Sequence, residues 1–123
     1  AQQYNKSLSG LPLVLPYLHP DNYSAFHLYV VRLKLDKTDK ARKELFVFLR
    51  EKGIGVNVHY IPVHTQPYYR SLGFDFGDFP LSEEYYESAV TLPLYPSMTM
   101  IEQDHVIDAL KEFFKSNEVN SCN

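Results

Sequence analysis

The run from Phe26 to Leu35 constrains this chain more than any other segment. Its first half (Phe26, Leu28, Tyr29, Val30, Val31) is apolar on both faces, which calls for cover on both sides. Its second half alternates, with Val31, Leu33 and Leu35 on one face and Arg32 and Lys34 on the other. That pattern fits the central strand of a small sheet. The chain has 123 residues, enough for one domain with a core that folds without staples.

The flanking signals say what lies beside this strand. Thr38 is placed to cap a helix running to Lys52, with Ala41, Leu45, Phe48 and Leu49 as its apolar stripe and Gly53 as a left-handed stop. Ile54 to Tyr60 then reads as a second strand, so the unit is a βαβ crossover or an α+β equivalent. A third extended run, Val90 to Leu94, precedes the clearest helix. Thr99 and Glu102 have capping-box spacing, and Val106, Ile107, Leu110, Phe113 and Phe114 share one face.

Shorter elements complete the reading. Ala1 to Ser9 is helical and stops at Gly10, and Leu13 to Leu15, bracketed by Pro12 and Pro16, is an edge strand or extended segment. Thr65 to Leu72 makes a helical turn ended by Gly73, and Ser82 caps a helix to about Ala89. The expected class is α+β: a small, mainly antiparallel sheet built on Phe26–Leu35, Ile54–Tyr60 and Val90–Leu94. The helices Thr38–Lys52 and Met100–Ser116 pack on it. The whole of 1–123 reads as one domain, with a disordered polar tail over 117–123.

Composition removes several functions. A net charge of -3 with both signs dispersed gives no basic stripe, and no tyrosine follows an RNA-stacking pattern, so nucleic acid is not an expected partner. No apolar run approaches the roughly twenty residues that span a bilayer. The lone cysteine, Cys122, sits in the polar tail, which rules out a disulfide framework and offers no activated thiol. A soluble, cytoplasmic domain is the expectation.

The chemistry concentrates in one place. Between Gly53 and Tyr69 the chain carries His59, Tyr60, His64, Tyr68 and Tyr69. Such polar aromatics suit a site that grips a polar ligand by stacking and hydrogen bonds, or a surface where apolar bodies are buried and polar tips stay wet. His59 and His64 lack the further partners of any familiar metal-site spacing, so no metal is expected. Glu83, Glu84, Asp75 and Asp78 read as solvated surface and helix-start charges. Period two puts Ile54, Val56, Val58 and Tyr60 on one face and Asn57 and His59 on the other. His59 is then either a site residue or a histidine hydrogen-bonded at a sheet edge.

The order of these signals resembles the C-terminal small domain of the DegT/DnrJ/EryC1/StrS sugar aminotransferases, fold-type I enzymes dependent on pyridoxal phosphate. The matching pieces are His27-Leu-Tyr-Val-Val-Arg32, Leu49-Arg-Glu-Lys-Gly-Ile54 and Val58-His-Tyr-Ile-Pro-Val-His64, followed by Gln66-Pro-Tyr-Tyr69, Gly77-Asp-Phe-Pro80 and Leu92-Pro-Leu-Tyr-Pro96. Each is weak alone, and in this order they are specific. The wording is most similar to the branch that aminates nucleotide-linked 4-keto-6-deoxy sugars, including those for pseudaminic acid and spore-coat polysaccharide.

The resemblance implies amino transfer, usually from L-glutamate, to a nucleotide-linked keto sugar in a homodimeric parent. It puts His59 at the cofactor and sugar as a proton-transfer or binding group, and Tyr60, His64 and Tyr68 on the substrate side. The family's cofactor lysine belongs to a large N-terminal domain, and no lysine here has its context. By resemblance this chain is therefore the small domain alone, without bound pyridoxal phosphate and inactive in isolation. The rival expectations are a stand-alone carbohydrate or nucleotide-sugar binding module and a purely structural dimer-contact domain.

Overall fold

Three antiparallel strands form one sheet in the order β1-β2-β3: β1 (Leu13–Val14), β2 (Tyr29–Leu33) and β3 (Ala89–Leu92). The computed structural model describes residues 1–39 and 41–115; the expected disordered tail over 117–123, with Cys122, lies outside the described residues. Five α-helices accompany the sheet among the described residues: α1 (Gln2–Leu8), α2 (Arg42–Glu51), α3 (Pro67–Ser71), α4 (Pro80–Ser88) and α5 (Met100–Lys115). The class is α+β, as the sequence predicts.

β2 is the central strand, and its alternation decides which face meets which layer. Tyr29, Val31 and Leu33 are buried, while Val30 and Arg32 are half-buried. Val31 pairs with Val90 and Tyr29 with Leu92, so these four share the core face with Leu45 and Leu49 of α2 and Val106, Ile107, Leu110 and Phe113 of α5. Val30 pairs with Thr91 on the opposite face, where α4 lies and the Arg32 guanidinium sits 5.8 Å from the Tyr85 ring centre. The strand is shorter than expected. Phe26 takes a left-handed backbone conformation (φ 47°), which no strand residue adopts, and Leu28 and Leu35 are exposed beyond the strand's ends.

α2 begins at Arg42 rather than at Thr38. Its N-cap is Ala41, which has no side-chain acceptor, and the Glu44 carboxylate accepts from the Ala41 N–H at 2.9 Å to satisfy that end. Its C-terminus follows the sequence closely. Gly53 (φ 77°) donates to Arg50 O at 3.0 Å and Ile54 donates to Leu49 O at 2.9 Å, a Schellman motif whose hydrophobic pair is Ile54 and Leu49. α5 completes the seal, with His105 Nε2–H donating to Lys52 O at 2.9 Å and Lys52 paired with Glu112 at 2.7 Å.

At α5 the capping box is present in both directions. Thr99 N–H donates to Glu102 Oε2 at 2.7 Å, and Glu102 N–H donates to Thr99 Oγ1 at 3.2 Å. For α4, Ser82 lies inside the first turn; the helix starts at Pro80, whose fixed φ suits the first helical position, with Phe79 as N-cap. α1 is anchored by Tyr4, which is fully buried, tilts against Tyr29 at 4.9 Å and donates to Pro93 O at 2.9 Å. Burial pushes the Tyr29 phenol up to about 12 and raises that of Tyr4 above its ordinary value, so both stay neutral donors at physiological pH.

The largest departure from the sequence reading is Ile54 to Tyr60. It is not a strand of the sheet. It runs as an extended arm beside β3, tied by one isolated bridge between Asn57 and Thr91, and the third strand is instead the short Leu13–Val14. Ile54 and Val56 are buried as a strand face would be, but Val58 is only half-buried and Tyr60 is exposed. One-sided burial of an extended segment produces the same alternation as a strand, which is why the pattern misleads here.

Candidate functional site

Three segments converge around the arm. The first is the arm itself, held to β3 when Thr91 N–H donates to Asn57 O at 2.8 Å and Asn57 N–H donates to Thr91 O at 3.2 Å. Two residues on, His59 Nδ1 lies 2.8 Å from Thr91 Oγ1, and the half-buried ring meets Tyr60 edge-on at 4.7 Å. The His59–Tyr60 peptide bond is cis. With Nδ1 engaged, Nε2 is the ring nitrogen left for solvent or a ligand. Tyr60, 75% exposed, stands beside it.

The second segment is the turn Val63–Thr65 leading into α3. Sequence reasoning grouped His64 with Tyr60 and Tyr68, but the fold gives these residues different environments. Tyr68 is 69% exposed, with its ring edge-on to Tyr69 at 5.3 Å. His64 is 7% exposed, packs on the Phe79 ring at 4.8 Å, and donates from Nε2 to Glu83 Oε1 at 2.8 Å.

Glu83 supplies the third segment, and in the sequence it reads only as a surface and helix-start charge. Its side chain is only 19% exposed and gathers three parts of the chain: His64, the Gly77 N–H at 2.8 Å and the Phe79 N–H at 3.4 Å. No local pattern marks this, because His64 and Glu83 are nineteen residues apart and meet only in the fold. Asp75 and Asp78 also serve the loop, Asp78 accepting from Asp75 N–H at 2.8 Å and Asp75 facing Arg70 at 3.2 Å.

The hydrogen bond from His64, then that from Gly77, holds the Glu83 carboxyl below its ordinary value of 4.5. A carboxyl that binds its proton less readily when folded contributes stability that is fully present above that ordinary value. The contribution is lost as pH falls through the depressed folded value. Glu83→Gln should therefore melt below the wild type at pH 7, and the gap should close as both are acidified past pH 4.5. Thermal melts of the two proteins from pH 7 to about 3 measure this; a gap that stays constant would refute the assignment.

Among the described residues no group of three His, Cys, Asp or Glu could hold a metal ion, and no helix is long and apolar enough to cross a membrane. Lys52 is engaged by both oxygens of Glu112, and Lys43 lines a shallow depression with the carboxylates of Asp39, Glu44 and Glu51. Neither of these two lysines has the setting of a Schiff-base amine for pyridoxal phosphate.

Between Tyr60 and Leu81 many apolar side chains are open to solvent. Tyr60, Val63, Tyr68, Phe76 and Leu81 are all well exposed, and Phe74, Phe79 and Tyr69 line an apolar hollow of about 360 Å³. Large exposed apolar surface marks an interaction face.

Residues 1–111 match the DegT/DnrJ/EryC1/StrS aminotransferase family. The spore coat polysaccharide biosynthesis protein SpsC of Bacillus subtilis is 38% identical over 118 residues, covering 94% of this chain and 30% of SpsC. Among solved structures, S. venezuelae DesV in complex with a ketimine intermediate superposes with a TM-score of 0.81 at 32% identity, over 93% of this chain and 30% of DesV. The PMP form of Spr1654 from Streptococcus pneumoniae gives 0.82 at 26% identity, over 94% and 29%. The chain thus spans about 30% of the length of the proteins it matches. It belongs to the DegT/DnrJ/EryC1/StrS aminotransferase family.

Proposed function

We propose that residues 1–123 are the C-terminal small domain of a sugar aminotransferase dependent on pyridoxal phosphate. The full-length protein, a cytoplasmic homodimer, moves an amino group from L-glutamate to a nucleotide-linked keto-deoxy sugar for cell-surface polysaccharide or glycan synthesis. The observation that carries this reading is His59, with Nδ1 engaged by Thr91 and Nε2 left beside the exposed Tyr60, in a chain of this family. The exposed aromatic surface supports it, being what a domain presents to the rest of a larger protein. So does the span, about 30% of SpsC, a spore coat polysaccharide biosynthesis protein.

The remainder of the full-length protein would hold the cofactor, whose chemistry would be to carry the amino group. This chain supplies one wall of the cleft. His59 Nε2 exchanges a proton with the sugar side, and Tyr60 and Tyr68 stack on or hydrogen-bond the sugar. His64 serves the same face through the loop that it fastens to Glu83.

The test uses full-length protein, L-glutamate and a UDP-linked 4-keto-6-deoxyhexose. Amino-sugar formation is expected from the full-length protein and none from residues 1–123 alone. Glutamate-dependent turnover by the 123-residue chain would overturn the proposal. So would tight binding of the nucleotide sugar by the chain when the full-length protein does not transaminate, which would favour a binding module.

A further inference from the structure

We propose that Thr91 is the positioning residue for His59. The inference rests on the reading of His59 given above and adds the group that sets its ring.

Thr91 lies in β3, in the run Ala89-Val-Thr-Leu92, every residue of which is buried. Valine would fill the same strand position with the same branched shape, so packing alone does not call for a hydroxyl. A buried hydroxyl must find a partner. Thr91 is 7% exposed, and its Oγ1 lies 2.8 Å from His59 Nδ1.

The same residue fixes the arm's backbone. Thr91 exchanges both main-chain hydrogen bonds with Asn57, and period two puts Asn57 and His59 on one side of the arm. One strand residue therefore sets both where the arm lies and which way the imidazole faces. With Nδ1 held on Oγ1, the ring cannot turn over to offer Nδ1 outward without losing that bond. Nε2 is the working nitrogen. The hydroxyl can donate or accept, so the bond holds the ring's orientation with Nδ1 either protonated or bare.

The experiment compares wild type, Thr91→Val and Thr91→Ser in full-length protein labelled with ¹⁵N-histidine, with His59→Ala identifying the resonances. In the wild type the His59 Nδ1 resonance should carry the shift of a nitrogen hydrogen-bonded to a hydroxyl. Thr91→Val, which keeps shape and main-chain bonds, should move it towards that of a nitrogen bonded to water, and Thr91→Ser should hold it near the wild-type position. In steady-state assays with the UDP-linked keto sugar, Thr91→Val should lose on the order of tenfold in kcat, less than His59→Ala loses, with KM little changed. Thr91→Ser should recover most of it.

Ring shifts identical in wild type and Thr91→Val would overturn the proposal. The two readings fail separately. Altered ring shifts in Thr91→Val with undiminished turnover in His59→Ala would uphold the positioning and remove His59 from the chemistry.

Discussion

His59→Ala in the full-length protein is expected to lower kcat on the keto sugar by roughly 10²-fold or more, the range for loss of a positioned acid–base group. The fold should survive. His59 lies outside the buried cluster, and the change removes one hydrogen bond to Thr91, a cost of about 1–3 kcal/mol with the hydroxyl left unpaired. Steady-state kinetics with L-glutamate and the UDP-linked keto sugar, run beside a thermal melt, measure both effects. A loss confined to KM would assign His59 to binding rather than proton transfer. Unchanged kinetics, or a melt so lowered that unfolding accounts for the lost rate, would remove it from the chemistry.

For stability the largest single effect is expected at Leu110, which is fully buried where α5 meets the sheet and α2. Leu110→Ala should cost about 2–5 kcal/mol through lost burial and the cavity left behind. Against a total of about 5–15 kcal/mol for a domain of this kind, that is a large fraction. The midpoint should fall by roughly 10 °C or more. Ile101→Ala on the same helix provides the contrast: Ile101 is 83% exposed, and its loss should stay within about 0.5 kcal/mol. Urea titrations of both variants decide it, and equal losses at the two positions would contradict the buried face assigned to α5.

The contrast follows what was legible in the sequence. α5 and the end of α2 could be read because their signals are local: Thr99 and Glu102 three residues apart, and Gly53 one step past the last turn. β2 was legible as the central strand because only a covered position tolerates Tyr29, Val30 and Val31 in sequence. What stayed hidden depends on partners far along the chain. Ile54 and Val56 alternate like a strand, yet whether such a run joins a ladder depends on which donors and acceptors lie beside it. Here the arm meets β3 through the bridge at Thr91.

The candidate site divides in the same way. His59, Tyr60 and Tyr68 stand out as residue types, whereas Glu83 resembles any acidic residue in a first helical turn until the fold brings His64 to it. Thr91 was hidden for the same reason, since a threonine among Ala89, Val90 and Leu92 looks like ordinary strand composition.

The two sides of the sheet differ in how they end, and this bears on how the chain behaves in a crowded solution. β3 is flanked by the arm, whose bridge at Asn57 takes up the Thr91 main-chain groups. β1 offers only Leu13 and Val14, set between Pro12 and Pro16, neither of which has an N–H to give. Among the described residues the arm thus covers part of the β3 margin and β1 ends after two residues, which leaves short edges for another chain's strand to extend.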